Sequence, residues 1–386
     1  MRTRFISAGL LVLFVLMRPS DVTLARTRQT ENVVLVTLDG ARWQEVFTGL
    51  DDSLACETMV AYDVAHDPIF RDFVAPTPDE RRQKLMPFLW GTLITDHGFA
   101  VGDRTAHSAV SVTNHLWFSY PGYAEILTGQ SHDDVITSNE PIRNPFPSVL
   151  QFLVRKLGLP PSQVATFASW GVISSIVESV PGSTTVNAGP QRAQGDSPEL
   201  DLLNTMQQEA RTSWDHTRHD AYTFRFALDY LKRHHPRVLS IAFDETDDWA
   251  HDNRYDQVLS TLHRTDGYLK TLWDALQGDP QYRDRTTLIV TTDHGRGRTA
   301  ADWQQHGRDV PGSNEIWIAI ASPDTTRRGV WQNSPDLFQN QIAETMAAVL
   351  GLSYRGEHPA AGAAIDLGAS RPALDVPSTR RRQTTN

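Results

Sequence analysis

The stretch Thr286-Thr287-Leu288-Ile289-Val290-Thr291-Thr292-Asp293-His294-Gly295 decides how this chain is read. Its first seven residues are aliphatic or β-branched and contain no Gly or Pro, which is the composition of a buried strand. The run stops at Asp293 and His294, so an oxygen and a nitrogen donor stand side by side where the strand should open into a loop. Strand ends of this kind are where open α/β sheets collect their ligands.

Working outward, other segments repeat the pattern. Asn32–Leu38 is a short apolar run that stops at Asp39-Gly40, and Val238–Phe243 stops at Asp244-Glu245. Gln163–Ala168, Phe99–Val101 and Glu315–Ala321 read as further strands. Helical patterns occupy Pro87–His97, Tyr120–Leu127, Pro147–Leu157, Leu200–Arg211, Ala221–His234, Asp256–Leu276 and Gln341–Leu350. Residues 50–80 look irregular and acidic. Strands alternating with helices predict an α/β fold, a three-layer α/β/α sandwich with a largely parallel central sheet.

Bulk properties narrow the class. A chain of 386 residues can bury a large core. Its net charge of −10 argues against a nucleic-acid polymer as partner. Arg2 and Arg4 precede the apolar stretch 5–17, and Thr23-Leu24-Ala25 follows as a small-residue site. Residues 1–25 are therefore expected to be a signal peptide, with export to the periplasm or the extracellular space and no stable membrane span after processing. Cys56 is the single cysteine, which leaves no internal disulfide and no cysteine metal site. Residues 30–368 are expected to form one catalytic domain with loop insertions. The tail 369–386, with Arg380-Arg381-Arg382, reads as disordered. Nothing in the sequence specifies an oligomeric state.

The polar residues at the strand ends form a candidate ligand set. Asp39 follows the first strand, Asp247 and His251 follow Val238–Phe243, and Asp293 and His294 follow the quoted stretch. His306 lies in the loop before Glu315–Ala321. Asp247 and His251 are four apart, so one helical turn would present both to one ion. Each residue alone reads as a loop-capping Asp or a surface His. As a set they share one edge of the inferred sheet, and their hard and borderline donors suit Zn²⁺ first, with Mn²⁺ or a mixed pair also accommodated. Ser119 stands at the start of the Tyr120–Leu127 helix, where it reads as an N-cap beside a positive helix end. A Ser hydroxyl becomes a competent nucleophile when a bound metal lowers its pKa.

The chain resembles the alkaline phosphatase superfamily, through its type I phosphodiesterase/nucleotide pyrophosphatase branch and related monoesterases. Leu38-Asp39-Gly40, Ser119-Tyr120-Pro121-Gly122-Tyr123, Leu127-Thr128-Gly129, Asp247-Asp248-Trp249-Ala250-His251, Asp293-His294-Gly295 and His306-Gly307 carry the likeness over about residues 32–350. The resemblance implies two divalent metals. Asp247, His251 and His306 would hold one, and Asp39, Asp293, His294 and the nucleophile Ser119 the other. Asn139 would bind a non-bridging phosphoryl oxygen, with Asn144 as a substitute. Amide N–H groups after Ser119 would add to it. Branch members usually show Thr followed by Phe-Pro-Asn, whereas this chain has Ser followed by Tyr-Pro-Gly. The sulfatase pattern would need Arg where Tyr123 stands.

The implied activity is hydrolysis of a small-molecule phosphate ester, monoesters first, through a covalent phosphoserine. A nucleotide phosphodiesterase or pyrophosphatase is the alternative, and a metal-stabilised exported binding protein the alternative of another class. His107, His115, Trp117 and Trp170 lie in segments that could roof the site.

Overall fold

Strand β1 (Asn32–Leu38) is buried along its whole length, and its alternate side chains enter two different cores. Val34, Val36 and Leu38 pack with Phe243, Leu288 and Val290. Val33 and Leu35 pack with Ile289, Ile318 and Met346. Successive strand residues point to opposite faces. A strand apolar on both faces needs a helical layer on each side, which is the physical basis of the three-layer sandwich.

The computed structural model describes residues 28–59 and 70–368. The expected signal peptide 1–25 and tail 369–386 lie outside the described residues. The remaining strands are β2 (Gly98–Val101), β3 (Val110–Ser111), β4 (Val164–Ala168), β5 (Thr185–Ala188) and β6 (Val238–Phe243). They continue with β7 (Thr286–Thr291), β8 (Glu315–Ile316), β9 (Ile318–Ala321), β10 (Gly329–Val330) and β11 (Leu337–Phe338). Eight strands form the central sheet in the order β10-β2-β9-β7-β1-β6-β4-β5, and β11-β3-β8 form a small second sheet. Only β9 runs against its neighbours in the large sheet. Leu38 lies opposite Phe243, and Thr37 opposite Thr291. The three central strands therefore end at one level, and the chain leaves all three on the same side.

Most expected elements appear within a few residues of their expected bounds. The helix Val149–Leu157 starts later than Pro147 because Ser148 stays extended as its N-cap and forms a capping box with Gln151. The helix Pro198–Glu209 starts earlier than expected, with Ser197 as its cap and Pro198 in the first turn. Three expectations need correction. Glu315–Ala321 is two strands in two different sheets, interrupted where the Trp317 carbonyl accepts a bond from Thr291 Oγ1 at 2.6 Å instead of joining a ladder. Pro87–His97 contains a π-type helix, Leu89–His97, whose start is held by Asp266 accepting the N–H groups of Phe88 and Leu89. Residues 50–80 hold the helices Asp52–Met59 and Pro78–Leu85, and 60–69 lie outside the described residues. No described helix is long and apolar enough to cross a membrane.

Candidate active site

Asp39 extends β1 by one residue, Asp293 and His294 follow β7, and these three side chains are at most 1% exposed. His294 Nδ1 lies 2.8 Å from the Gly295 carbonyl. A carbonyl only accepts, so Nδ1 carries the proton and the Nε2 lone pair faces the cluster. That Nε2 is 3.4 Å from Asp39 Oδ1, 3.5 Å from Asp293 Oδ2 and 3.3 Å from Ser119 Oγ. Gly40 N–H fixes Asp293 Oδ1 at 3.0 Å, and Thr246 Oγ1 donates to the Asp39 carbonyl. Among the described residues, Asp39 Oδ2 and Asp293 Oδ2 are buried without a hydrogen-bond partner. Burial first, and then the Asp247 charge, pushes the Asp39 carboxyl well above its usual range. Burial and the Asp39 charge do the same to Asp293. Two orphaned carboxylate oxygens beside an aimed imidazole lone pair fit a divalent cation.

The second cluster is assembled differently. The helix Glu245–His251 begins directly after β6, and its turn brings His251 Nε2 to 3.2 Å from Asp247 Oδ2. His306 enters from the loop between β7 and β8, with Nε2 3.0 Å from His251 Nε2 and 3.8 Å from Asp247 Oδ1. Its Nδ1 lies 3.3 Å from the Trp117 carbonyl, so this imidazole also turns its lone pair inward. Asp247 Oδ1 is 3.7 Å from His294 Nε2, which joins the two clusters. Burial opposes ionisation of Asp247, but Arg296, followed by His251 and His306, holds it well below the ordinary range. Burial and the neighbouring His294 push His306 down to about 2, so its ring is neutral and free to ligate. Among the described residues the tight groupings of ligand atoms are Asp39 with Asp293 and His294, and Asp247 with His294 and His306, where His294 takes the place expected for His251. Asp248, the rival to Asp247, is raised to about 8 by burial and the Asp247 charge, and forms no part of either grouping.

Ser119 is the first residue of the helix Ser119–Thr128, and the extended Phe118 is its N-cap. The N-cap reading of Ser119 is therefore corrected: its hydroxyl donates toward Asp39 Oδ1 at 3.4 Å. Asn139 Oδ1 takes the Tyr120 N–H at 2.9 Å, Pro121 has none, and Gly122 N–H goes to Phe118 O at 3.1 Å. The expected amide contribution after Ser119 is thus already spent on the protein. Among the described residues, no acceptor takes Asn139 Nδ2. Asn144 is wholly buried and holds a turn, with Nδ2 on Ile176 O and Oδ1 on Phe146 N. His107 and His115 are exposed, and His115 packs against Thr113 and Asp133. Trp117 contributes through its backbone carbonyl, and Trp170 forms a bridge with Thr217.

Two participants escaped sequence reasoning. Arg296, two residues beyond His294, is 2% exposed and paired with Asp247. A cation two residues past the Asp293-His294 pair was the available signal. Gly122 lets the nucleophile's helix sit on β7, because a Cβ there would lie 2.3 Å from the Asp293 carbonyl. The His294 ring does not form a serine triad with a carboxylate, since its Nδ1 is committed to Gly295.

A model of the family described as type I phosphodiesterase/nucleotide pyrophosphatase matches residues 93–336, more than half of the chain. The chain belongs to this family. Membership places it in the alkaline phosphatase superfamily and, with the two ligand clusters, makes it a metal-dependent hydrolase. Among solved structures, it is similar to Ps i-CgsB in complex with k-i-k-neocarrahexaose, at 13% identity and TM-score 0.53, covering 87% of this chain and 75% of that one. It is also similar to the lipoteichoic acid synthase LtaP from Listeria monocytogenes, at 11% identity and TM-score 0.53, covering 89% and 75%. These likenesses establish the shared fold. Comparison with curated protein sequences found no match.

Proposed function

We propose that this protein hydrolyses the phosphodiester or pyrophosphate bond of small nucleotide-like molecules, with Ser119 as nucleophile and a covalent phosphoseryl ester that retains the rest of the substrate. The observation that carries the reading is the seat of Ser119 Oγ, 3.3 Å from His294 Nε2 and 3.4 Å from Asp39 Oδ1. The family match favours diester over monoester chemistry. The monoester expectation drew on Tyr120-Pro121-Gly122, but that motif has a packing explanation. Tyr120 OH donates to the Ile142 carbonyl, and Gly122 accommodates the Asp293 backbone.

In this reading Asp39, Asp293 and His294 hold one ion and Asp247, His251 and His306 the other, Zn²⁺ first. The ions would neutralise the transferred group and lower the pKa of the Ser119 hydroxyl. Ser119 attacks phosphorus, one leaving group departs opposite to it while the other substituent stays on phosphorus, and water then cleaves the seryl ester to release the phosphomonoester product. Asn139, held by Tyr120 N–H, offers its Nδ2 to an equatorial oxygen. His251, whose side chain is 39% exposed, marks the side open to water. Export through residues 1–25 would place this activity outside the cytoplasm.

The test compares zinc-loaded protein on bis(p-nitrophenyl) phosphate and p-nitrophenyl phosphate. A higher kcat/KM on the diester is expected, and the reverse order would restore the monoester reading. Acid quenching followed by mass spectrometry should find a nitrophenylphosphoryl group on Ser119 with the diester and a phosphoryl group with the monoester.

A further inference from the structure

Among the buried carboxylates outside both ligand clusters, Glu125 stands on the nucleophile's own helix. It is wholly buried and accepts four bonds from the strand-to-helix approach loop. Thr113 N and Oγ1 reach its Oε1 at 2.8 and 2.9 Å, and Asn114 N and Nδ2 reach its Oε2 at 2.8 and 2.9 Å. Asn114, 1% exposed, passes the restraint on: its Oδ1 accepts Leu116 N at 3.1 Å and Trp117 N at 2.9 Å. Trp117 adopts φ 56°, a left-handed conformation that bulky side chains rarely take without outside support. In that conformation its carbonyl meets His306 Nδ1 at 3.3 Å.

We propose that Glu125 is a positioning residue for the metal site of Asp247, His251 and His306, acting through Asn114 and the Trp117 carbonyl. The inference rests on the two-metal reading above. The chain of bonds runs from Glu125 to Asn114, to the backbone of Trp117, to Nδ1 of a ligand. Its last link keeps the proton on Nδ1 and the lone pair of His306 on Nε2. A supporting group of this kind typically accounts for about 10–100-fold in metal affinity or activity. The same helix that carries Ser119 thereby sets a ligand of the cluster on the far side of the site. Ser119 and His306 are kept in mutual register by one carboxylate.

The experiment titrates metal-free protein with Zn²⁺ by calorimetry, using His306→Ala to identify the event that belongs to the outer site. Glu125→Gln replaces one acceptor oxygen with an NH₂ that faces donors. It should weaken that event about 10–100-fold, leave the other event unchanged and lower kcat more than it alters KM. Asn114→Ala, which cuts the same chain from the loop side, should reproduce the split. Asp266→Asn is the control, a buried carboxylate that holds the backbone of Phe88 and Leu89 far from this loop. It should lower the Tm with both zinc events intact. Wild-type zinc affinities in both Glu125→Gln and Asn114→Ala would overturn the proposal, as would equal weakening of both events. A wild-type protein that binds fewer than two ions would instead overturn the two-metal reading and, with it, this inference.

Discussion

The two ligand clusters at the carboxyl edge of the sheet are made of different material. Asp39, Asp293 and His294 come straight off β1 and β7, neighbours in the middle of the sheet, and are all but sealed from solvent. Asp247 and His251 come from a seven-residue helix, and His306 from a loop. Their side chains are 13%, 39% and 13% exposed. The inner cluster is rigid because strand pairing fixes it. The outer one depends on supporting bonds, with Arg296 on Asp247 and the Trp117 carbonyl on His306. That division suits the proposed chemistry, which needs a fixed nucleophile on one side and access for a leaving group and water on the other.

The largest expected effect falls on Ser119, whose hydroxyl reaches Asp39 and His294 of the inner cluster. Ser119→Ala should reduce kcat by at least about 10³-fold while the protein still binds two zinc ions, as read by elemental analysis. Substantial residual turnover would break the assignment of the nucleophile to the inner cluster. Next in size is a contrast between ligands. His294→Ala should lower zinc affinity by well over 100-fold, because Nε2 stands near Asp39, Asp293 and Asp247 together. His251→Ala, at the exposed rim, should cost about 10–100-fold at one site only. Equal losses in competition with a chelator would erase the inner and outer distinction.

The same contrast explains what could be read from the sequence. Asn32–Leu38 and Val238–Phe243 were bounded correctly because strands buried on both faces are continuous apolar runs closed by a charged residue. The inner ligands inherit that clarity. The outer cluster was legible only in part. The spacing of Asp247 and His251 pointed to one helical turn, but the support of His306 is a backbone carbonyl, and a backbone group has no letter. Ser119 was placed one position off in its helix because its hydroxyl serves the site while Asn139 does the capping. Strands such as β3, β8 and β11, of two residues each, are too short to display a period. Tyr120-Pro121-Gly122 encodes how a helix seats on β7, which looks like specificity until the packing is known.

Gly122 gives a smaller and more local test. Gly122→Ala would drive a methyl group to 2.3 Å from the Asp293 carbonyl, so the helix must lift from the inner cluster. A cost of about 1–3 kcal/mol in chemical denaturation is expected, in the range of overpacked cores. Turnover should fall through displacement of Ser119, while zinc binding at Asp247, His251 and His306 stays as in the wild type. A variant that loses the outer zinc first would show that the two clusters are mechanically joined rather than separately supported.

The smallest effect is a slope. In metal-free protein the Asp39 and Asp293 carboxyls sit well above their ordinary value, raised by burial and then by neighbouring carboxylates. A carboxyl raised by folding stabilises the folded state fully below its unfolded value, 3.8 for Asp, and that contribution is lost as pH rises through the folded value. Asp247 is depressed, chiefly by Arg296 working against burial, so its contribution is present above 3.8 and disappears on acidification. Between pH 5 and 8 the inner cluster should therefore weaken the metal-free protein as pH increases and Asp247 should not, while Asp248 and Asp220, raised by burial to about 8 and about 7, add to the same decline. Urea unfolding at both pH values checks this. Asp293→Asn should flatten the decline, whereas Asp247→Asn, which removes only one of the charges that raise Asp39, should flatten it less and lower stability at both pH values. Zinc should reduce the slope in the wild type, because a bound cation favours the ionised carboxylates that the metal-free fold resists. If Asp247→Asn flattened the decline as much as Asp293→Asn, the buried charge would be shared across both clusters, and the separation drawn between them would fail.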